Sequence, residues 1–150
     1  MKYVFLLLLA LTPTMVFAGG SGQATPLKNS AQVKGMLTPT ISHKRLRIAG
    51  GREYIQFDVT WDTTRLPKPT RAIKGYLSFG DLFGYTYFVL DWVISKPLVP
   101  GVPLVQKGRS VGFNQDVARD MWMFGTDVKD MVVSFIVMDI LYQDGTKNLW

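Results

Sequence analysis

The sequence predicts an all-β chain, a single antiparallel β-sandwich carrying one short helix. Three observations carry that expectation. From Gln32 onward, short runs rich in β-branched and aromatic residues alternate with Pro, Gly, Asn and Asp turn signals, the spacing of a sandwich or barrel. No long window holds an apolar repeat of 3.6 residues. The chain's 150 residues, 47% hydrophobic and 19% charged, suffice for one domain with its own core. That balance is too apolar for a disordered chain and too mixed for a polytopic membrane protein.

Glu53 to Trp61 is the strongest strand. Ile55, Phe57, Val59 and Trp61 alternate with Gln56, Asp58 and Thr60, so one face meets the core and the other meets water. Leu66 to Pro69 contains two prolines, which cannot donate to a ladder, and forms a loop. Arg71 to Phe79 is the next strand, with Ile73, Leu77 and Phe79 predicted inward and Lys74, Tyr76 and Ser78 outward. Gly80 to Gly84 is a compact turn. Tyr85 to Ile94 places Phe88, Leu90, Trp92 and Ile94 on its inward side. Pro97 to Pro103 is a second proline-rich connection, and Leu104 to Phe113 a strand interrupted by Gly108 and Gly112. Met131 to Tyr142 is the last long strand, ended by an Asp144-Gly145 turn. The helix is predicted over Asp116 to Phe124, capped by Asn114 or Asp116 and closed by Gly125. Val117, Met121 and Phe124 share one face at i, i+4 and i+7, the face expected to plug one end of the sandwich.

The first eighteen residues predict export. Lys2 supplies a positive start, Tyr3 to Leu11 form an apolar run, and Val16-Phe17-Ala18 matches a signal peptidase site. Pro13 and Gly19-Gly20 break the run before the length of about 20 residues that a membrane helix needs. The expected organisation is a signal peptide over 1–18, a flexible Gly/Ser-rich lead-in over 19–31, and one β-sandwich domain over 32–150. No membrane anchor is expected after cleavage. A chain without cysteine does not rely on oxidation, which suits a periplasmic or secreted bacterial protein.

Several segments together resemble a known group. They are Tyr54-Ile-Gln-Phe-Asp-Val-Thr-Trp61, Ile73-Lys-Gly-Tyr-Leu-Ser-Phe79, Asp81-Leu-Phe-Gly84, Phe113-Asn-Gln115, and Thr126-Asp127 ahead of a strand ending in Asp144-Gly145. This succession resembles bacterial exported immunoglobulin-like domains of unknown function, in which a K-G-x-x-x-F strand leads into a D-L-F-G turn. The resemblance covers residues 50–145. It implies an immunoglobulin-like antiparallel β-sandwich and transfers no catalytic residue. The bridging Cys pair of antibody domains is absent.

The absence of cysteine also excludes thiol nucleophiles and Cys-ligated metals. Only one histidine is present, His43, so multi-histidine metal sites are excluded. No calcium-loop, Walker, G-x-S-x-G or H-E-x-x-H pattern occurs, and neither cofactor nor metal is expected. The acids Asp58/Asp62, Asp116/Asp120 and Asp127/Asp130 occupy turn-like, polar contexts and are expected to act as caps and solvated groups. His43 lies beside Lys44 and Arg45, in a segment expected to be an exposed loop.

The basic excess, a formal +6, is the more informative feature. Lys44, Arg45 and Arg47 form one cluster, and Lys68 and Arg71 with Arg65 a second. Loops converging at one end of a sandwich would join them into a patch for an anionic envelope polymer; the plainer alternative is that they keep the protein soluble. Nucleic acid is not an expected partner of an exported protein. Tyr85 and Tyr87 alternate with the inward residues of their strand and are expected on the exposed face, Trp122 protruding nearby, a strip suited to protein or glycan recognition. The expected function is an exported, non-enzymatic module that binds a protein or an anionic envelope polymer. The alternatives are a small exported hydrolase with an Asp/His site, and an inhibitor or chaperone-like protein acting by β-strand addition.

Intact-mass measurement of the native protein tests the export expectation. The mature chain should begin at Gly19 or within a residue or two of it, and a chain retaining Met1 to Ala18 contradicts the reading.

Overall fold

A computed structural model describes residues 35–149. The expected signal peptide and lead-in therefore lie outside the described residues, as do residues 32–34.

Within them the chain forms β1 (Thr38–Ala49), β2 (Arg52–Asp62), β3 (Thr70–Gly80), β4 (Thr86–Ile94) and β5 (Leu104–Gly112). There follow the helix α1 (Ala118–Gly125), one 3-10 turn (Val128–Asp130), β6 (Val132–Tyr142) and β7 (Lys147–Leu149). The strands build a three-stranded sheet in the order β1-β2-β5 and a four-stranded sheet in the order β4-β3-β6-β7. Every pairing is antiparallel. The all-β sandwich with one short helix is what the sequence predicts.

Period-two patterning explains how the sheets meet. Ile55, Phe57, Val59 and Trp61 of β2 are fully buried, as are Ile73, Leu77 and Phe79 of β3. Rings interlock across the interface: Phe57 meets Phe79 edge-on at 5.6 Å and Trp61 meets Phe135 at 4.9 Å. Trp61 and Trp92, one from each sheet, both donate their indole N–H to Oε1 of Gln106, at 2.8 and 3.0 Å. The glycine of the K-G-x-x-x-F strand also has a physical reason. A Cβ on Gly75 would lie 2.2 Å from the carbonyl oxygen of Ile136 and 2.7 Å from the Phe135 ring, so β3 crosses β6 too closely for any side chain.

Three expectations are corrected. The segment Ser42 to Arg47 is not a loop but the middle of β1, whose register against β2 shifts between Ser42 and Arg45. His43 sits in this bulge with φ +51, so an irregular sequence of polar residues belongs to an irregular strand. The chain past the Asp144-Gly145 turn adds a seventh strand, β7, against β6. The helix is rotated from its predicted face: Asp120 and Met123 are buried, while Met121 and Phe124 are exposed. The Asp120 carboxylate turns inward to accept the N–H of Asn114 at 3.0 Å, which sets that orientation in a helix of only two turns. No side chain caps its start.

The core assignment is testable by two substitutions. Trp61→Ala should cost about 3–5 kcal/mol in chemical denaturation, as for other buried large aromatics. Gln106→Leu should cost about 1–3 kcal/mol, because it leaves indole N–H groups without their acceptor. A melting temperature near wild type in either variant contradicts the assignment.

Candidate functional site

The β3–β4 hairpin supplies the most distinctive surface feature. Asp81 follows β3, and its carboxylate organises the whole turn. Oδ1 accepts the N–H groups of Phe83 at 3.0 Å and Tyr85 at 2.9 Å, and the Tyr87 hydroxyl donates to Oδ2 at 3.3 Å. The backbone closes the same loop, with Asp81 N–H on the Tyr85 carbonyl at 3.0 Å and Gly84 N–H on the Asp81 carbonyl at 3.2 Å. Gly84 takes φ +88, a left-handed turn position that favours glycine.

These bonds satisfy the backbone and leave two apolar side chains with nothing to pack on. Phe83 is 97% exposed and Leu82 67% exposed. Below them stands an aromatic stack: Tyr85 lies 4.7 Å from Tyr87, whose ring stacks on Trp122 at 4.3 Å and 8°. Partial burial and the neighbouring Asp81 charge hold the Tyr87 hydroxyl above its ordinary pKa. The expected exposure of Tyr85 holds, while Tyr87 is half-covered by the helix through Trp122. The exposed Leu82-Phe83 pair was not anticipated from sequence. Its signal was an Asp followed by two apolar residues and a Gly, a turn whose interior is already filled by the Asp side chain.

The basic residues do not assemble into one patch. Arg47 pairs with Tyr54 near the start of β2, whereas Lys68 and Arg71 lie past its end at Asp62. At about 3.3 Å per residue that separates the clusters by roughly 25 Å, at opposite ends of the sandwich. Most of these cations also have internal partners. Lys44 donates its ammonium to the carbonyls of Met123 at 2.7 Å, Phe124 at 2.9 Å and Thr126, capping the end of α1. Burial pulls its pKa below the ordinary lysine value, against the Asp127 charge. Arg45 holds Oε1 of Gln56 through two N–H groups, at 3.0 and 2.7 Å. Lys68 binds Asp144 at 2.6 Å and Thr146 Oγ1 at 2.7 Å, above the Tyr142 ring. Arg47 and Arg71 are exposed.

The carboxylates serve local structure. Asp58 accepts the Gly108 N–H at 2.7 Å and lies 3.2 Å from Nδ1 of His43. That arrangement orients an imidazole but leaves its Nε2 side in solvent. Asp62 accepts from Thr64, and Asp127 lies 3.9 Å from Lys129. An open groove of about 870 Å³ runs between the β1–β2 turn and the β5–α1 connection, lined by Arg52, Glu53, Tyr54, Asn114, Asp116 and Arg119 among others. His43 and Asp58 lie outside its lining. Among the described residues, no three His, Cys, Asp or Glu side chains gather as a metal site.

The chain matches no protein-family model, no curated protein and no solved structure.

The acid side of the stability profile follows from these contacts. Asp58 is held below the ordinary carboxylate pKa first by the Gly108 N–H, Asp62 by the Thr64 hydroxyl, and Asp144 well below it by the Lys68 ammonium. Their contribution is present above the unfolded value of about 3.9 and is lost as the pH falls through the folded values. Melting temperature should hold near neutral pH and decline as the pH drops below about 4. Asp144→Asn should make that decline shallower, and an unchanged slope contradicts the Lys68–Asp144 assignment.

Proposed function

We propose that this chain is an exported, non-catalytic immunoglobulin-like module that binds another protein through the β3–β4 tip. The tip carries the proposal: Phe83, 97% exposed, is held out on a loop whose every turn contact runs through Asp81. Because the turn's backbone is held by Asp81, presenting this large apolar side chain to a partner's pocket costs little further backbone ordering, which favours a specific complex. The aromatic stack of Tyr85, Tyr87 and Trp122 provides the amphipathic surround that protein interfaces favour.

The strand order supports the immunoglobulin-like reading. Sheets β1-β2-β5 and β4-β3-β6-β7 correspond to the A-B-E and C-F-G groupings of that fold, with β4 as an added strand beside C. The amino-terminal sequence supports export. The anionic-polymer reading is weaker, because Lys44, Arg45 and Lys68 are engaged inside the molecule and the clusters lie far apart. The hydrolase reading has the His43–Asp58 pair in its favour, but the pair lies outside the lining of the open groove, and the reading requires a nucleophile beside Nε2.

The tip reading is tested by affinity measurement with a partner protein captured from an envelope extract. Phe83→Ala should weaken binding by about 2 kcal/mol, roughly 30-fold, and Leu82→Asp with Phe83→Asp should abolish it. Arg45→Glu with Arg71→Glu should leave affinity within about threefold of wild type. If the charge reversals abolish binding and the tip variants do not, the binding surface is the basic one.

A further inference from the structure

We infer that a cavity at the end of the sandwich away from the tip binds a small organic ligand through a single carboxylate. The inference uses none of the tip residues and goes beyond the proposed protein binding there.

The cavity has a volume of about 490 Å³, within the range of about 300–1,000 Å³ usual for small-molecule sites. The loop after β2 contributes Arg65, Pro67 and Lys68, and the β6–β7 hairpin contributes Tyr142, Thr146 and Asn148. Met36, just ahead of β1, gives it a second apolar wall beside Pro67. Its position follows from strand direction: Thr70, which opens β3, pairs with Tyr142, whereas the tip follows Gly80 at the other end of the same strand.

The balance of donors and acceptors sets the chemistry of the ligand. Two cations and no carboxylate line the cavity. Lys68 commits two of its three N–H groups, to Asp144 at 2.6 Å and to Thr146 Oγ1 at 2.7 Å, and Asp144 matches its charge. Arg65 is different: among the described residues its guanidinium enters no ion pair. Asp62, the acid three residues before it, accepts the N–H and hydroxyl of Thr64 and lies outside the lining. Gly35, at φ +89, gives the guanidinium its room, since a Cβ there would lie 3.2 Å from Nη1. The buried Tyr142 accepts Nδ2 of Asn148 on its hydroxyl oxygen at 3.2 Å, and among the described residues that is the hydroxyl's one side-chain partner, which leaves its proton to donate.

One unmatched charge on a planar fork of donors suits a planar monoanion, because a carboxylate accepts two parallel bonds from a guanidinium. The Tyr142 hydroxyl and the third Lys68 N–H are the further donors. A phosphate dianion would bring a second charge, and the cation that could match it is already held by Asp144. Two sources share the carboxylate chemistry: the uronic acid unit of a saccharide and the carboxyl terminus of a peptide.

Titration calorimetry and amide NMR shifts of the mature chain test the site, with methyl glucuronoside and N-acetyl-alanyl-alanine as probes. Methyl glucoside, N-acetyl-alanyl-alanine amide and inorganic phosphate are the controls. At least one acid should bind, about tenfold or more tighter than its neutral counterpart, with shifts at Arg65, Lys68, Thr146 and Asn148; the acid that binds identifies the source. Arg65→Gln should weaken that binding about tenfold or more and Tyr142→Phe about threefold, each with the wild-type circular dichroism spectrum. Phe83→Asp should leave it unchanged, so failure of this site and failure of the tip are distinguishable. Neither acid binding at millimolar concentration, a neutral counterpart or phosphate binding as tightly, an Arg65→Gln variant at wild-type affinity, or shifts confined to the groove of Arg52 and Arg119 would each overturn the assignment.

Discussion

One amide oxygen holds the two sheets in register. Oε1 of Gln106, on β5, accepts the indole N–H of Trp61 from its own sheet and of Trp92 from the other. Each indole brings a large apolar body with a single polar group that must be satisfied when buried. Placing both donors on one acceptor solves that problem for two tryptophans at once, and it fixes where β4 stands relative to β5. Arg109 closes over the Trp92 ring beside it. What β4 carries, the aromatic Tyr87 beside the tip included, inherits its position from this arrangement.

A second constraint concerns charge. The chain is strongly basic, yet several of its cations answer internal needs. Lys44 reaches from the β1 bulge to the carbonyls that end α1, groups that have no partner within the helix. The His43 bulge is what lets a strand residue point that way, and Asp58 steadies the bulge while also accepting the Gly108 N–H of β5. Through these contacts the helix, the β1 bulge and the β5 bulge form one connected unit. A positive balance is therefore weak evidence for a polyanion ligand, since some of the cations that create it are committed to contacts within the fold.

The tip shows the opposite economy. Asp81 satisfies the turn's backbone so completely that Leu82 and Phe83 have no structural task. Core-type side chains in that position lower solubility and give the isolated domain nothing in return. That exposure is what supports the proposed binding role of the tip.

What the sequence determined by itself was local in origin. The inward faces of β2 and β3 follow from period-two alternation, and Ile55, Phe57, Val59, Trp61, Ile73, Leu77 and Phe79 are all buried as that pattern requires. The Asp81 turn, the proline-rich connections and the presence of one helix also follow from residues adjacent in the chain. Only the tertiary structure decided the rest, because each remaining feature depends on groups far apart in sequence. The face α1 buries is set by Asp120 meeting the Asn114 backbone, and its end by a lysine 79 residues away from Met123. The segment around His43 lacks alternation, so its strand exists through pairing with β2 rather than through its own pattern. Whether two basic clusters converge is decided by strand direction and length, and whether Phe83 is covered is decided by what else reaches that end of the sandwich. Neither quantity is written in local periodicity, which records the face a residue turns to its own sheet and not what lies beyond it.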